Sequence, residues 1–243
     1  RVSKETSTRP ETLPKPTCPA PQTTSGTCQR EIYTSGEFGG TYAQVSRAEG
    51  WRADWEGGLA LRKGLTSDEG NFFGSDVNQD YVLLRPTFRL TVTPTDELPY
   101  GLDTWKYGAD FIGQYSKDSV PEQQQFILGG VGNMLGFLPG AAVGDTGALL
   151  RLRAEWQGTA FYGISVTPRL FLEYGIARFE DAAPAASQST QSLSDIAGEV
   201  SLKFAKWFEF TSSAALPLYD SGVPEADIED AEAKYFFRLT ATF

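Results

Sequence analysis

The ionisable side chains are the residues of this sequence with the greatest capacity for chemistry. The 243 residues include no histidine, which excludes histidine-based catalysis and histidine metal ligands. No Ser-x-x-Lys motif occurs, and acidic pairs such as Asp54 and Glu56 stand two residues apart, on one side of any strand. We therefore expect neither an enzyme nor a bound cofactor or metal. The net charge of -10 also argues against a nucleic-acid surface.

Arginines and glutamates instead alternate with apolar residues, which indicates β-strands with one ionic and one apolar side. The clearest case places Arg151, Arg153 and Glu155 between Leu150, Leu152, Ala154 and Trp156. The same period of two recurs along the chain and predicts nine strands, within residues 32–46, 51–63, 82–93, 105–116, 149–156, 164–177, 196–204, 208–216 and 235–243. Two interpretations of the ionic side stay open. It lines a conduit for an extended polypeptide, or it forms a self-neutralising network that fills an interior.

Alternating strands are typical both of a secreted β-sandwich binding module and of a transmembrane β-barrel. Strand lengths of about ten to fourteen residues favour the barrel, because such strands can cross a bilayer at a tilt. Aromatic residues also recur near strand ends, as in the girdles of membrane barrels: Trp51, Trp105, Trp156, Trp207 and Tyr235. Short turns alternate with long loops, the asymmetry of an outer-membrane barrel. We therefore predict an all-β, antiparallel transmembrane barrel, integral to the outer membrane of a Gram-negative cell.

The predicted domain organisation has two parts. Residues 1–30 are rich in Pro, Thr and Ser and predict a surface-exposed loop in which Cys18 and Cys28 form a disulfide. Residues 31–243 form the barrel portion. If the chain ends in the periplasm, nine strands place residue 1 outside the cell, whereas bacterial barrels have even strand numbers. The chain is thus expected to be the C-terminal part of a larger barrel.

One stretch within the barrel portion, residues 120–147, is glycine-rich and shows no alternation. Five of its glycines lie within about twenty residues, so its backbone must bend repeatedly and pack closely. These are Gly129, Gly130, Gly136, Gly144 and Gly147. A phosphate-binding loop is excluded, since no Lys-Ser/Thr pair follows the glycines.

Five short motifs follow one another in a fixed order: Gln114-Tyr-Ser, Gln125-Phe-Ile-Leu-Gly-Gly, Met134-Leu-Gly-Phe, Gly144-Asp-Thr-Gly and Arg153-Ala-Glu. Over residues 80–243 the chain resembles the haemolysin-activator type transporters of two-partner secretion, within the outer-membrane barrel-assembly superfamily. The ordered set is specific, although each motif alone is weak. The resemblance implies the later strands of a sixteen-stranded barrel, with residues 120–147 folded into its lumen. It also implies N-terminal barrel strands and periplasmic domains that this chain does not contain.

The resemblance implies two sets of site residues. The lumen-loop set is Gly129, Gly130, Met134, Leu135, Gly136, Phe137, Gly144, Asp145 and Gly147, and the lumen-strand set is Arg151, Arg153, Glu155, Phe171, Glu173 and Gly175. Two positions depart from the family pattern. Leu135 replaces an arginine at the loop tip, and Glu173 replaces an aspartate in a Phe-x-Asp-x-Gly motif. Because leucine cannot pair with the strand acid, we expect another anchor, such as packing of Phe137 or an arginine bond to Asp145.

The final strand resembles the signal by which barrel-assembly machinery recognises its substrates, with Tyr235, Phe237, Leu239 and Phe243 as the apolar positions. The function implied is an outer-membrane barrel that translocates a partner polypeptide. Its partners are then the exported polypeptide, outer-membrane lipid and, during insertion, the assembly machinery. The alternative is an assembly or scaffold barrel with a static lumen loop, which binds a partner through its surface loops.

Overall fold

The computed structural model describes residues 34–66, 81–157, 160–161, 163–180, 190–204, 207–223 and 233–241. Cys18, Cys28 and Phe243 lie outside these ranges, so their predicted roles stay predictions. The strands in chain order are β1 (Thr34–Ala48), β2 (Trp51–Thr66), β3 (Val82–Pro94), β4 (Trp105–Ser116), β5 (Phe126–Leu128), β6 (Ala142–Gly144), β7 (Thr146–Trp156), β8 (Ala160–Phe161), β9 (Ile164–Arg178), β10 (Thr190–Phe204), β11 (Phe208–Ser221) and β12 (Lys234–Ala241). Two short 3₁₀ helices span Pro99–Thr104 and Glu122–Gln124. Within the described ranges, neither helix has the length and apolar character to cross a membrane.

The nine long strands form one antiparallel sheet in the order β1-β2-β3-β4-β7-β9-β10-β11-β12, with β8 added beside β9. Each long strand pairs with the next one along the chain, so the topology is up-and-down. The prediction of nine antiparallel strands is confirmed. The short strands β5 and β6 form a separate hairpin, which the alternation did not reveal because each has only three residues.

The two faces of the sheet have opposite polarity. On β9, Leu170 is 53% exposed and Leu172 is 47% exposed, whereas Glu173, the residue directly after Leu172, is 1% exposed. We call the side that carries the leucines the apolar face and the side that carries Glu173 the polar face. Large apolar side chains lie on the outside rather than between two stacked sheets. The β-sandwich alternative is therefore wrong.

Tryptophan marks one end of the sheet. Trp51 begins β2, Trp105 begins β4 opposite Trp156, and Trp207 directly precedes β11. Strands β2, β4, β9 and β11 begin at this end, each after a short connection of at most ten residues. Strands β3, β7, β10 and β12 begin at the other, long-connection end, each after a connection of at least eleven residues. Tyr235, near the start of β12, lies at the opposite end of the sheet from the tryptophans.

The connection between β4 and β7, residues 117–145, folds back onto the polar face, and we call it the infolded loop. Its apolar side chains form the largest buried cluster with residues of β7, β9 and β10: Leu128, Met134, Phe137, Ala141, Ala142, Leu149, Ala177 and Leu193. Alternation predicted ionic side chains on this whole face. At the long-connection end the face is apolar instead, at Leu149, Ala177 and Leu193, and the loop covers that patch.

Candidate functional site

The infolded loop is a narrow hairpin with a tightly turned tip, residues 129–141. Gly129 and Gly130 have φ of +100° and +93° at the point where the chain leaves β5. A side chain at Gly129 would overlap the carbonyl oxygen of Leu138, so only glycine fits there. The backbone N–H of Gly130 donates to the carbonyl oxygen of Phe137 at 3.0 Å, and the N–H of Phe137 donates to that of Met134 at 3.2 Å.

Other glycines of the site allow the loop to approach the strands closely. A Cβ atom at Gly136 would lie 2.8 Å from the Cβ atom of Asp195, and one at Gly175 would lie 2.7 Å from the Sδ atom of Met134. The same atom at Gly147 would overlap the ring of Phe126. Gly144 similarly packs against the backbone of Arg178. The expected close packing of these glycines thus has a defined geometry.

Two strand acids hold the tip through its backbone. The N–H of Met134 donates to Glu173 Oε1 at 3.4 Å, and the N–H of Gly136 donates to Asp195 Oδ2 at 2.6 Å. Met134 has a φ of 57°, the single non-glycine residue with positive φ in the described chain. This left-handed conformation turns neighbouring N–H groups towards the same side, as in other backbone sites that bind anionic groups.

Arg151 on β7 supplies a guanidinium group close to the loop tip. Its Nε atom lies 2.5 Å from Glu173 Oε1, and its Nη2 atom donates to the carbonyl oxygen of Gly132 at 2.9 Å. The guanidinium also lies 5.6 Å from the ring centre of Phe171. The strand acid is therefore paired although the tip has no arginine. Leu135 instead packs in a small apolar cluster with Ala197 and Ala215.

The base of the loop has its own anchors. The carboxylate of Asp145 accepts backbone N–H groups from Val120 at 2.9 Å and from Glu180 at 3.0 Å. In the part of the chain that the structure describes, no arginine bonds to Asp145, so the expected arginine anchor is replaced there by these backbone donors. Phe137, the other expected anchor, is buried in the main cluster.

A glutamine-centred network ties the loop to the earlier strands. The side-chain oxygen of Gln124 accepts a hydrogen bond from Arg62 at 2.5 Å. The backbone carbonyl oxygen of Gln124 accepts a hydrogen bond from the Gln114 side chain at 2.7 Å. The side-chain oxygen of Gln114 in turn accepts a hydrogen bond from Arg85 at 2.9 Å. Strands β2, β3 and β4 thus contact the same residue of the loop.

The polar face beyond the loop carries paired charges of both signs. Arg169 lies 2.8 Å from Glu155 and 2.7 Å from Glu199, so one guanidinium bridges three strands. Arg153 donates to the hydroxyl of Thr91 at 2.6 Å and lies 3.5 Å from Asp110. A cavity of about 270 Å³ lies beside the loop tip and is lined in part by β11 and β12. Its lining includes Leu135, Arg151, Phe171, Glu173, Phe236 and Arg238.

The final strand presents its expected apolar row. Tyr235, Phe237 and Leu239 are strongly exposed on the apolar face of β12, and the ring of Phe237 stacks on that of Phe210 at 6.2 Å. Recognition of this strand by assembly machinery stays a prediction.

Sequence reasoning missed two residues of the site, Asp195 and Gln124. Asp195 lies between the predicted loop, which ends at Ser194, and the predicted strand, which starts at Ile196, so the pattern assigns it to neither face. Extending the alternation of Ala197 and Glu199 backwards by two residues would have placed it on the polar face. Gln124 lies in a segment without periodicity, and no signal in the sequence identifies it.

Three comparisons with known proteins bear on this arrangement. The family model "Haemolysin secretion/activation protein ShlB/FhaC/HecB" matches residues 27–200, which include β1 to β9, most of β10 and the whole infolded loop. A search of curated proteins found no match. Among solved structures, CdiB from Escherichia coli is 17% identical, with a TM-score of 0.50 over 87% of this chain and 46% of that one. CdiB from Acinetobacter baumannii is 12% identical, with a TM-score of 0.45 over 88% of this chain and 44% of that one. The chain thus spans about half the length of these structures.

Proposed function

The chain belongs to the haemolysin secretion/activation protein family ShlB/FhaC/HecB, an outer-membrane β-barrel transporter family of Gram-negative bacteria, and we propose on this basis that it translocates a partner polypeptide. In this proposal the polar face lines the route and the apolar face contacts lipid. The cargo passes as an extended chain. The mixed charges of the route, such as Arg169 between Glu155 and Glu199, bind neither sign of cargo charge strongly.

The observation that carries the proposal is the position of the infolded loop. It occupies the polar face, where a passing polypeptide would have to lie. Its tip is joined to the strands by single polar contacts from Gly132, Met134 and Gly136 rather than by covalent or sheet pairing. Hydrogen bonds to charged groups contribute about 1.5 to 3 kcal/mol each, so a cargo must supply binding energy that outcompetes these bonds to displace the tip.

A second candidate function is a static scaffold that binds a partner through surface loops. The burial of Met134 and Phe137 among apolar strand residues favours it, because withdrawing these side chains exposes apolar surface. The substitution of Leu135 for the usual arginine points in the same direction.

Conductance across planar bilayers distinguishes the two candidates. We compare the full-length protein with a variant in which a short Gly-Ser linker replaces residues 126–144. If the protein is a transporter, its lumen is open except where this loop obstructs it. The shortened variant should then conduct more ions than the unmodified protein. Heat-modifiable gel migration serves as the control for a folded barrel. A shortened variant that folds but conducts no better would contradict transport and support the scaffold.

A cross-linked variant supplies the matched control. Leu135→Cys with Ala215→Cys places two thiols within one packed cluster, after Cys18 and Cys28 are replaced by serine. Oxidation should hold the tip in place and keep conductance low, and reduction should restore the behaviour of the unmodified protein. Equal conductance in both states would show that tip movement does not open the barrel.

A further inference from the structure

Two buried carboxyl groups meet beneath the tip of the infolded loop. Asp195 of β10 and Glu173 of β9 are register partners on the polar face, and each accepts a backbone N–H group of the tip. Asp195 is 0% exposed and Glu173 is 1% exposed. Two like charges at this separation repel strongly when water is excluded, so both groups are ionised only if each has a matching cation.

The surrounding elements provide one such cation. Arg151 of β7 pairs with Glu173. On β10 itself, Glu199 faces the same side and is already bridged by Arg169 of β9. Strand β11 places Pro217 beside Asp195, and β12 contributes Arg238, which lines the neighbouring cavity. The loop tip contains no ionisable side chain. Asp195 therefore has no cation of its own among the described residues in contact with it.

The hydrogen bonds of the Asp195 carboxyl group indicate that one of its oxygen atoms carries a proton. Its Oδ2 atom accepts the N–H of Gly136, whereas its buried Oδ1 atom has no partner within the described part of the chain. Buried polar atoms in folded proteins are almost always paired. If Oδ1 carries a proton, it becomes a donor, and the carboxylate of its register partner Glu173 is the neighbouring acceptor.

We propose that Asp195 and Glu173 share one proton and that this proton holds the loop tip on the polar face. Asp195 then accepts from Gly136 and donates to Glu173, while Glu173 also accepts from Arg151 and Met134. The pair has a single negative charge, which the guanidinium balances. Asp195 is thus a positioning residue for the tip. The held state binds one more proton than the released state, so rising pH favours release.

The test measures the position of the tip directly. Spin labels are attached at Val131→Cys, which is exposed at the tip, and at Thr240→Cys on the polar face of β12, in full-length protein whose Cys18 and Cys28 are replaced by serine. Pulsed electron paramagnetic resonance then gives the distance distribution in liposomes from about pH 5 to about pH 10. We expect one narrow distance at low pH, lost as the pH rises.

Substitutions at Asp195 separate the proton from the charge. Asp195→Asn retains an acceptor for Gly136 and adds a permanent donor for Glu173, so it should keep the narrow distance at every pH. Asp195→Ala lacks both bonds and should lose the narrow distance at every pH. A broad distribution for the asparagine variant at low pH would overturn the proposal, as would a distribution for the unmodified protein that does not change with pH.

Infrared spectroscopy covers the case in which the alanine variant fails to fold. The unmodified protein should show a carboxylic-acid carbonyl band at neutral pH that disappears in Asp195→Asn and shifts in Glu173→Gln. Absence of that band in the unmodified protein overturns the shared proton. None of these measurements uses a cargo, so the inference can fail while transport stands, and the reverse also holds.

Discussion

Arg151 and Glu173 lie opposite each other on β7 and β9, and their side chains form an ion pair of 2.5 Å. The same guanidinium reaches the carbonyl oxygen of Gly132, so one residue joins two strands and the loop tip. The pair therefore couples the geometry of the sheet to the position of the infolded loop.

Removing the guanidinium should destabilise the barrel strongly. Arg151→Ala leaves Glu173 buried without its partner, which typically costs about 3 to 5 kcal/mol. Urea unfolding in lipid vesicles, followed by tryptophan fluorescence, measures the loss. The matched control is Arg89→Ala, since the Arg89 side chain is well exposed beside Asp110 and its pair should contribute less than about 1 kcal/mol. Equal losses in the two variants would show that Arg151 is not a special anchor.

Restoring the arginine at the loop tip should remove the pH dependence of the tip. In Leu135→Arg a second guanidinium lies close to Asp195 and Glu173, so both acids can be ionised without repulsion. The distance between labels at positions 131 and 240 should then stay narrow at high pH. Leu135→Gln, which lengthens the side chain without a charge, is the control and should keep the pH dependence. An arginine variant that still releases its tip at high pH would speak against this pairing.

A methyl group at Gly136 should displace the tip. Its Cβ atom would lie 2.8 Å from the Cβ atom of Asp195 and 3.1 Å from the backbone nitrogen of Pro217, and such overpacking costs about 1 to 3 kcal/mol. We expect Gly136→Ala to conduct more ions in planar bilayers than the unmodified protein. Gly198→Ala is the control on the opposite side of β10, where the nearest atom lies 3.8 Å away. An unchanged conductance in Gly136→Ala would indicate that the tip does not obstruct the lumen.

A charge on the apolar face should be costly in lipid. Leu172 on β9 has Leu152 and Ile196 as register partners and is well exposed, so Leu172→Arg places a cation against the acyl chains. The expected cost is about 2 to 4 kcal/mol near the bilayer midplane, measured by unfolding in vesicles. Thr240→Arg adds the same side chain to the polar face and should cost much less. A negligible loss for Leu172→Arg would place this face out of contact with lipid.

The two cysteines should resist alkylation until a reductant is added, because the sequence predicts a disulfide between Cys18 and Cys28. Mass spectrometry of the alkylated protein, with and without reduction, measures this. Labelling of both thiols in the oxidised protein would count against the bond.

The alternation of side chains between the two faces of a strand explains why so much of the fold is predictable from the sequence. Leu170, Leu172 and Glu173 each take the face that their position in a period-two pattern requires, and every hairpin fixes the register of the next strand. The infolded loop lacks any period. Its glycines indicate where the backbone bends, but not which strand residues it meets.

The pairing of Glu173 with Arg151 shows where sequence reasoning ends. The two residues are joined only through the register of β7 and β9, and the resemblance directed attention to Leu135 instead. Asp195 is not identified for a simpler reason. The residues at the start of β10 are rich in serine, so the alternation of polar and apolar residues is weak there. The contacts between the infolded loop and the strands therefore arise from three-dimensional packing that no local sequence pattern encodes.

The lack of ionisable side chains between residues 129 and 141 has an electrical consequence. Moving one elementary charge across a membrane potential involves about 2.3 kcal/mol per 100 mV. A segment that carries no formal charge does no electrical work when it shifts, so a voltage gives its displacement no preferred direction. The position of the tip therefore does not depend on membrane voltage, unlike that of the charged constrictions that gate some pores. Only a change in local bonding or contact with another molecule can move it.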